Sequence, residues 1–119
     1  MKTVFFRNCI LLLFLLPSIA NCNDTTSDYD KLCLIVTETR KDNEFTKLTP
    51  TEQSIELTNK VTKSFPESAQ IMSVFSMLAS VDPKLKYSLF KEAAEEALSR
   101  EWDCPSYKEF NEYLIKAQK

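Results

Sequence analysis

Glu101-Trp102-Asp103-Cys104-Pro105 is the stretch whose reading decides the fold. It holds the only tryptophan and the last of four cysteines, and its proline suits the first position of a helix. Its expected partner is Cys33, far back in the first helix of the domain. A Cys33–Cys104 disulfide closes a loop of about 70 residues, which in the chain-entropy picture restricts the unfolded state by roughly 4 kcal/mol. In a domain near the lower end of comfortable core size, that is a large part of the net stability. A redox pair would call for Cys-x-x-Cys at a helix start, a spacing the chain does not contain, so the pair reads as structural. Trp102 either packs against the bridge or is an isolated tryptophan in the core or on the surface.

Working backward and forward from this corner, the chain divides into helices. Ser27 is a good N-cap, with Asp28 and Asp30 in the first turn at the positive end of the helix dipole. Tyr29, Leu32, Cys33 and Val36 then share one helical face, which Leu34 and Ile35 widen, and the helix should end near Arg40 or Lys41. A charged connector with Phe45 as its apolar foothold leads to Thr49-Pro50-Thr51-Glu52. That sequence combines a cap, a proline at the first position and a capping-box glutamate. The helix it opens carries Leu57, Val61 and Phe65, with Ile55 nearby, and Pro66 stops it. Ser68 is the expected cap of a third helix, whose apolar residues run almost all round from Ile71 to Val81, placing it at the centre of a core or along a cavity. Asp82-Pro83 starts a fourth helix with Leu85, Leu89, Phe90, Ala93, Ala94, Ala97 and Leu98 on one side. Pro105 starts the last, with a stripe of Tyr107, Phe110, Leu114 and Ala117. The expected fold is all-α: a single small bundle of about five helices, stapled by one disulfide.

Two absences narrow the chemistry. The chain has no glycine and no histidine. Hairpins lose the residue their turns prefer, and the phosphate-cradling loops of nucleotide-binding motifs lose their glycines. The commonest general base and metal ligand is also missing, so nothing activates a serine or cysteine nucleophile. Glu92, Glu95, Glu96 and Glu101 cluster, but carboxylate metal sites in helical bundles normally add histidines, and Lys91 and Arg100 interleave. They read as a solvated, salt-bridged face. No catalytic residue, cofactor or metal ligand is expected, and the protein is expected not to be an enzyme.

The N-terminus reads as an export signal. Lys2 and Arg7 form a positive region, Cys9 to Leu16 an apolar run, and Ser18-Ile19-Ala20 the small residues that signal peptidase reads. The run is short for a membrane span. The expected organisation is a signal peptide over residues 1–20, a polar leader over 21–26 and the helical domain over 27–119. Cleavage after Ala20 removes two of the 15 basic residues and none of the 17 acidic ones, leaving a net charge of −4. That balance offers no footprint for nucleic acid or anionic lipid. Cysteines suit an oxidising compartment, and three of them remain in the mature chain. Cys22 is the odd one. Ser18-Ile19-Ala20-Asn21-Cys22 resembles a bacterial lipobox, in which the cysteine is lipidated; otherwise Cys22 is free or bridges two chains.

Met72, Met77, Phe75 and Phe90 either pack as plain core or line a pocket for an apolar ligand, since methionine adapts to irregular partners. The face from Tyr107 to Tyr113 offers a partner surface wherever it is exposed.

Asp30-Lys31-Leu32-Cys33, the run from Asp82-Pro83 through Tyr87, Leu89, Ala93 and Ala94, and Trp102-Asp103-Cys104-Pro105 together resemble a set of small exported bacterial proteins of unknown function. In these, Asp-Lys-Leu-Cys opens the domain and Trp-x-Cys-Pro closes it. The resemblance covers residues 28 to 105 and implies an exported helical domain with one disulfide; it adds no activity. A weaker likeness is to secretoglobins, also exported, helical and bracketed by distant cysteines, but here a whole helix follows Cys104. The expected function is that of a non-enzymatic cell-envelope or periplasmic protein, structural or interacting, whose partner is an unknown protein or, through a lipid on Cys22, the membrane. The alternative is a secreted carrier of a small apolar ligand.

Overall fold

Short polar side chains and prolines place most of the helix starts. The Ser27 hydroxyl accepts the Asp30 amide at 3.0 Å and opens α1, Asp28–Lys41. Thr49 and Glu52 exchange the two bonds of a capping box, at 2.9 and 3.2 Å, ahead of α3, Pro50–Ser64. Asp82 accepts the Lys84 amide at the head of α5, Pro83–Leu98, and Pro105 opens α6, Pro105–Ala117. The computed structural model describes residues 27–118, which form six α-helices with no strand among the described residues. The sixth helix relative to expectation is α2, Asn43–Thr46, a single turn in the charged connector. Asp42 caps it, and it exists to bury Phe45, whose carbonyl accepts a buried bond from Gln53 Nε2 at 2.9 Å.

The fourth helix departs from expectation at both its cap and its burial. α4 spans Gln70–Leu78, and its N-cap is Ala69, with no side-chain cap bond, rather than Ser68. The Pro66-to-Ala69 turn sets the entry, since the Ala69 amide bonds the Pro66 carbonyl. Nor is α4 enclosed. It packs chiefly along α5, so Ile71, Met72 and Leu78 are buried while Met77 is 66% exposed. Of the apolar side expected for α5, Phe90 and Ala94 are buried, but Leu85 is 51% exposed and Leu89 36%, and Tyr87, outside that stripe, is buried in their place. Leu34 and Ile55 also lie mainly in solvent. The face that is buried runs through Tyr87, Phe90 and Ala94, at i, i+3 and i+7, and Leu85 and Leu89 fall beside it.

α1 is the central element, packed against α2, α3 and α6, and α6 also lies along α5. Leu32, Val36, Val61, Ile71 and Phe90 are almost completely removed from water. Burial of side chains this size contributes about 1.5–3 kcal/mol each in transfer free energy. Among the described residues, no helix is long and apolar enough to cross a membrane.

Candidate functional site

Two places gather polar and apolar groups from several helices: the corner at Trp102–Pro105, and a cleft that α6 lines together with α3, α4 and α5. The corner is where α5 hands the chain to α6. α5 ends at Ser99, which takes the left-handed conformation (φ 55°, ψ 39°) that glycine would normally occupy, and its amide bonds the Glu95 carbonyl. The chain then turns inward. Cys104 is fully buried and bonded to Cys33 of α1, with the Cα atoms 5.7 Å apart across a separation of 71 residues. Beside the bridge, the Thr37 and Ser106 hydroxyls lie 2.6 Å apart and Arg40 donates to the Ser106 carbonyl at 2.9 Å, so two turns of α1 are sewn to the start of α6.

Trp102 sits in the core, 3% exposed, in a group of five rings with Tyr29, Tyr87, Phe90 and Tyr107. Phe90 is the hub, with Tyr29 and Tyr107 edge-on at 5.3 Å and Trp102 at 5.6 Å. Such pairs add about 0.5–1.5 kcal/mol each beyond the area they bury.

The charged residues here hold the chain. Glu95 accepts the Trp102 amide at 3.1 Å and the Lys91 ammonium at 2.6 Å, and Lys91 also donates to the Trp102 carbonyl. One ion pair thus satisfies both backbone groups of the residue that turns the corner. The Lys91 bond and then the Trp102 amide hold the Glu95 carboxyl below its usual range, and Glu95 in turn raises Lys91. Tyr87 Oη donates to Asp103 at 2.7 Å and accepts the buried Cys104 amide at 2.9 Å. Burial, then the bond to Asp103, pushes the Tyr87 phenol up to about 12, and burial does the same for Tyr107. At neutral pH both are protonated phenols, with no tendency to act as nucleophiles. Arg100 reaches across to Asp30 at 2.7 Å and closes the outside of the corner.

The expected site residues are therefore distributed as follows. Cys33 and Cys104 are joined. Cys22 lies outside the described residues. Glu95 leaves the acidic cluster for a backbone-holding role, while Glu92, Glu96 and Glu101 stay exposed. Among the described residues, no group of three His, Cys, Asp or Glu side chains could hold a metal ion. Tyr87, Lys91 and Asp103 were not singled out as site residues from sequence. The Tyr87 position in a helix that otherwise reads as leucine and alanine was the available signal.

The cleft lies between α3, α4, α5 and α6 and has a volume of about 230 Å³. Its apolar wall comes from Leu57, Met72, Phe75, Leu78, Phe110 and Leu114. Of the four residues expected to line a pocket, Met72 and Phe75 do. Phe90 is instead the hub of the ring cluster, and Met77 faces a broader, more open depression on the far side of Met72. Ser54, Lys86 and Asn111 are the polar residues that the cleft shares with a second hollow of about 260 Å³ along α3 and α6, so they stand where the two meet. Asn111 is buried and spends one amide hydrogen on the Pro83 carbonyl at 3.0 Å. Sequence reasoning passed over Lys86 and Asn111, because a lysine and an asparagine on helices look like solvated surface.

Compared with models of known protein families, with curated proteins and with solved structures, the chain matches none.

Proposed function

We propose that the protein is an exported, non-enzymatic module of the cell envelope that works by binding, and that the cleft between α3, α4, α5 and α6 takes a small apolar ligand. The observation that carries this reading is the cleft itself: an apolar wall from three helices, left open to solvent, whose one charged lining residue, Lys86, stands at the boundary with the second hollow. At about 230 Å³ it is below the range of drug-sized pockets, roughly 300–1,000 Å³, and above an engineered cavity of about 150 Å³ that admits benzene. A ligand of about eight to ten non-hydrogen atoms matches it by proportion. The scaffold supports the reading, because the disulfide and the corner bonds hold α5 and α6 in register without calling on any cleft residue.

Export is supported by Lys2, Arg7, the Cys9–Leu16 run and Ser18-Ile19-Ala20, and by a disulfide that suits an oxidising compartment. Lipidation at Cys22 would make it the first residue and tether the domain to a membrane through residues 22–26. Intact mass of the mature protein tests the anchor: a chain beginning at Asn21 with no acyl mass would sink it and leave export standing.

For the binding reading, a neutral naphthalene dye of about ten non-hydrogen atoms, the size the cleft admits, should change its fluorescence when titrated into the mature protein. Ser76→Trp adds a ring at an exposed lining position and should abolish that signal while leaving helicity unchanged. A dye that does not bind, or that binds Ser76→Trp equally well, refutes the reading. A second reading, a protein partner on α5, is favoured by Leu85 and Leu89, exposed one turn apart.

A further inference from the structure

From the cleft's chemistry we infer the class of its ligand: a small amphipathic monocarboxylate, with its aliphatic tail against Leu57, Met72 and Phe75 and its carboxylate at Lys86. This rests on the proposed binding role of the cleft and specifies what enters it.

The inference follows from how the charges are spent. Among the described residues Lys91 pairs with Glu95, Lys47 with Glu44 and Lys41 with Glu38, while the other lysines make no ion pair; Lys86 is set apart from those by lining the cleft. Lys86 is half-buried, lines both hollows, and has no carboxylate within ion-pair distance among the described residues. Two neutral donors stand with it. Ser54 brings a hydroxyl, and Asn111 has one amide hydrogen left after its bond to Pro83. Because the Pro83 carbonyl can only accept, it orients the Asn111 amide with nitrogen toward α5, the helix that carries Lys86. An ammonium, a hydroxyl and an amide N–H at one boundary of an apolar wall complement a carboxylate on a hydrocarbon chain. A neutral alcohol would use only part of this set, and a cation would be repelled by Lys86. The tail length follows from volume: a cleft of about 230 Å³ suits a chain of roughly eight carbons by proportion to benzene in about 150 Å³.

The test uses octanoate and octanol, equal in chain length, as competitors of the neutral dye on the mature protein. A charge-assisted bond at a partly solvated lysine should favour octanoate by about tenfold. With each competition corrected for the variant's own dye affinity, Lys86→Met should bring octanoate to the level of octanol, and Lys86→Arg should keep the preference. Raising the salt concentration should weaken octanoate alone, a readout that stands even if the methionine variant fails to fold. Equal potency of octanoate and octanol in the wild type, or a preference that survives both Lys86→Met and high salt, overturns the carboxylate assignment while dye displacement upholds the binding role. A dye that never binds overturns the binding role itself.

Discussion

Tyr87→Phe removes one oxygen atom and leaves the ring in place against Trp102 and Tyr107. The oxygen has two tasks. It accepts the Cys104 amide, in a bond that is buried, and it donates to the exposed carboxylate of Asp103. Without it, the Cys104 N–H is stranded beside the disulfide, a penalty of about 1–3 kcal/mol. Asp103 returns to water, so losing its bond adds no more than about 1 kcal/mol. The expected destabilisation is about 2–3 kcal/mol, or roughly 10–20 °C in Tm for a domain of this size. Tyr29→Phe is the matched control. Tyr29 is as deeply buried and belongs to the same ring cluster, but its hydroxyl has no hydrogen-bond partner among the described residues. Removing a buried, unbonded hydroxyl should be neutral or stabilise by up to about 1 kcal/mol. Urea denaturation of both variants with the disulfide intact, followed by circular dichroism, separates them. Asp103→Ala completes a double-mutant cycle and should cost under about 1 kcal/mol. A Tyr87→Phe variant within about 0.5 kcal/mol of wild type, or indistinguishable from Tyr29→Phe, would refute the role given to the corner bonds.

Replacing Cys33 and Cys104 by serine should lower stability by about 4 kcal/mol, from a separation of 71 residues, and equilibrium unfolding with and without reductant measures it. Ser99→Gly should stabilise by roughly 0.5–1 kcal/mol, because the left-handed conformation at the end of α5 strains any side chain; a destabilised variant would mean that the serine is needed there. Alkaline pH should unfold the domain. Tyr87 and Tyr107 keep their protons up to about 12 when folded, against 10.0 ordinarily, so the stability they contribute is complete below pH 10 and is lost as pH rises toward 12. Urea midpoints against pH, with tyrosinate absorbance followed in parallel, should fall over that window, and Tyr107→Phe should flatten the fall; a level midpoint would contradict it.

Much of the fold was legible in local chemistry. Ser27, Thr49 with Glu52, and Asp82 with Pro83 each signal a helix start through bonds made within three or four residues, which no distant packing needs to supply. The disulfide was legible because few alternatives exist for two cysteines in a domain that has little core to spare. Two readings failed, one to a competing local turn and one to packing. Ser68 has the right side chain for a cap, but Pro66 decides where α4 begins. Leu85 and Leu89 are more apolar than Tyr87, and an amphipathic stripe read from hydropathy takes the leucines inward. The structure instead buries Tyr87, whose hydroxyl satisfies an amide 17 residues away.

By itself, the sequence determined that this is an all-helical domain, where most of its helices begin, and which two cysteines close it. Those features depend on caps, prolines and the periodicity of one segment at a time. Only the tertiary structure decided what the corner at Trp102–Pro105 does and where a ligand could enter. Glu95 and Lys91 there hold the backbone of Trp102, and Lys86 stands at the edge of an apolar cleft with no ion-pair partner among the described residues. All three are ordinary charged residues of α5 when read from sequence. What separates them is whether an amide, a carbonyl or a void lies within reach, and that is settled when α5 packs against α6.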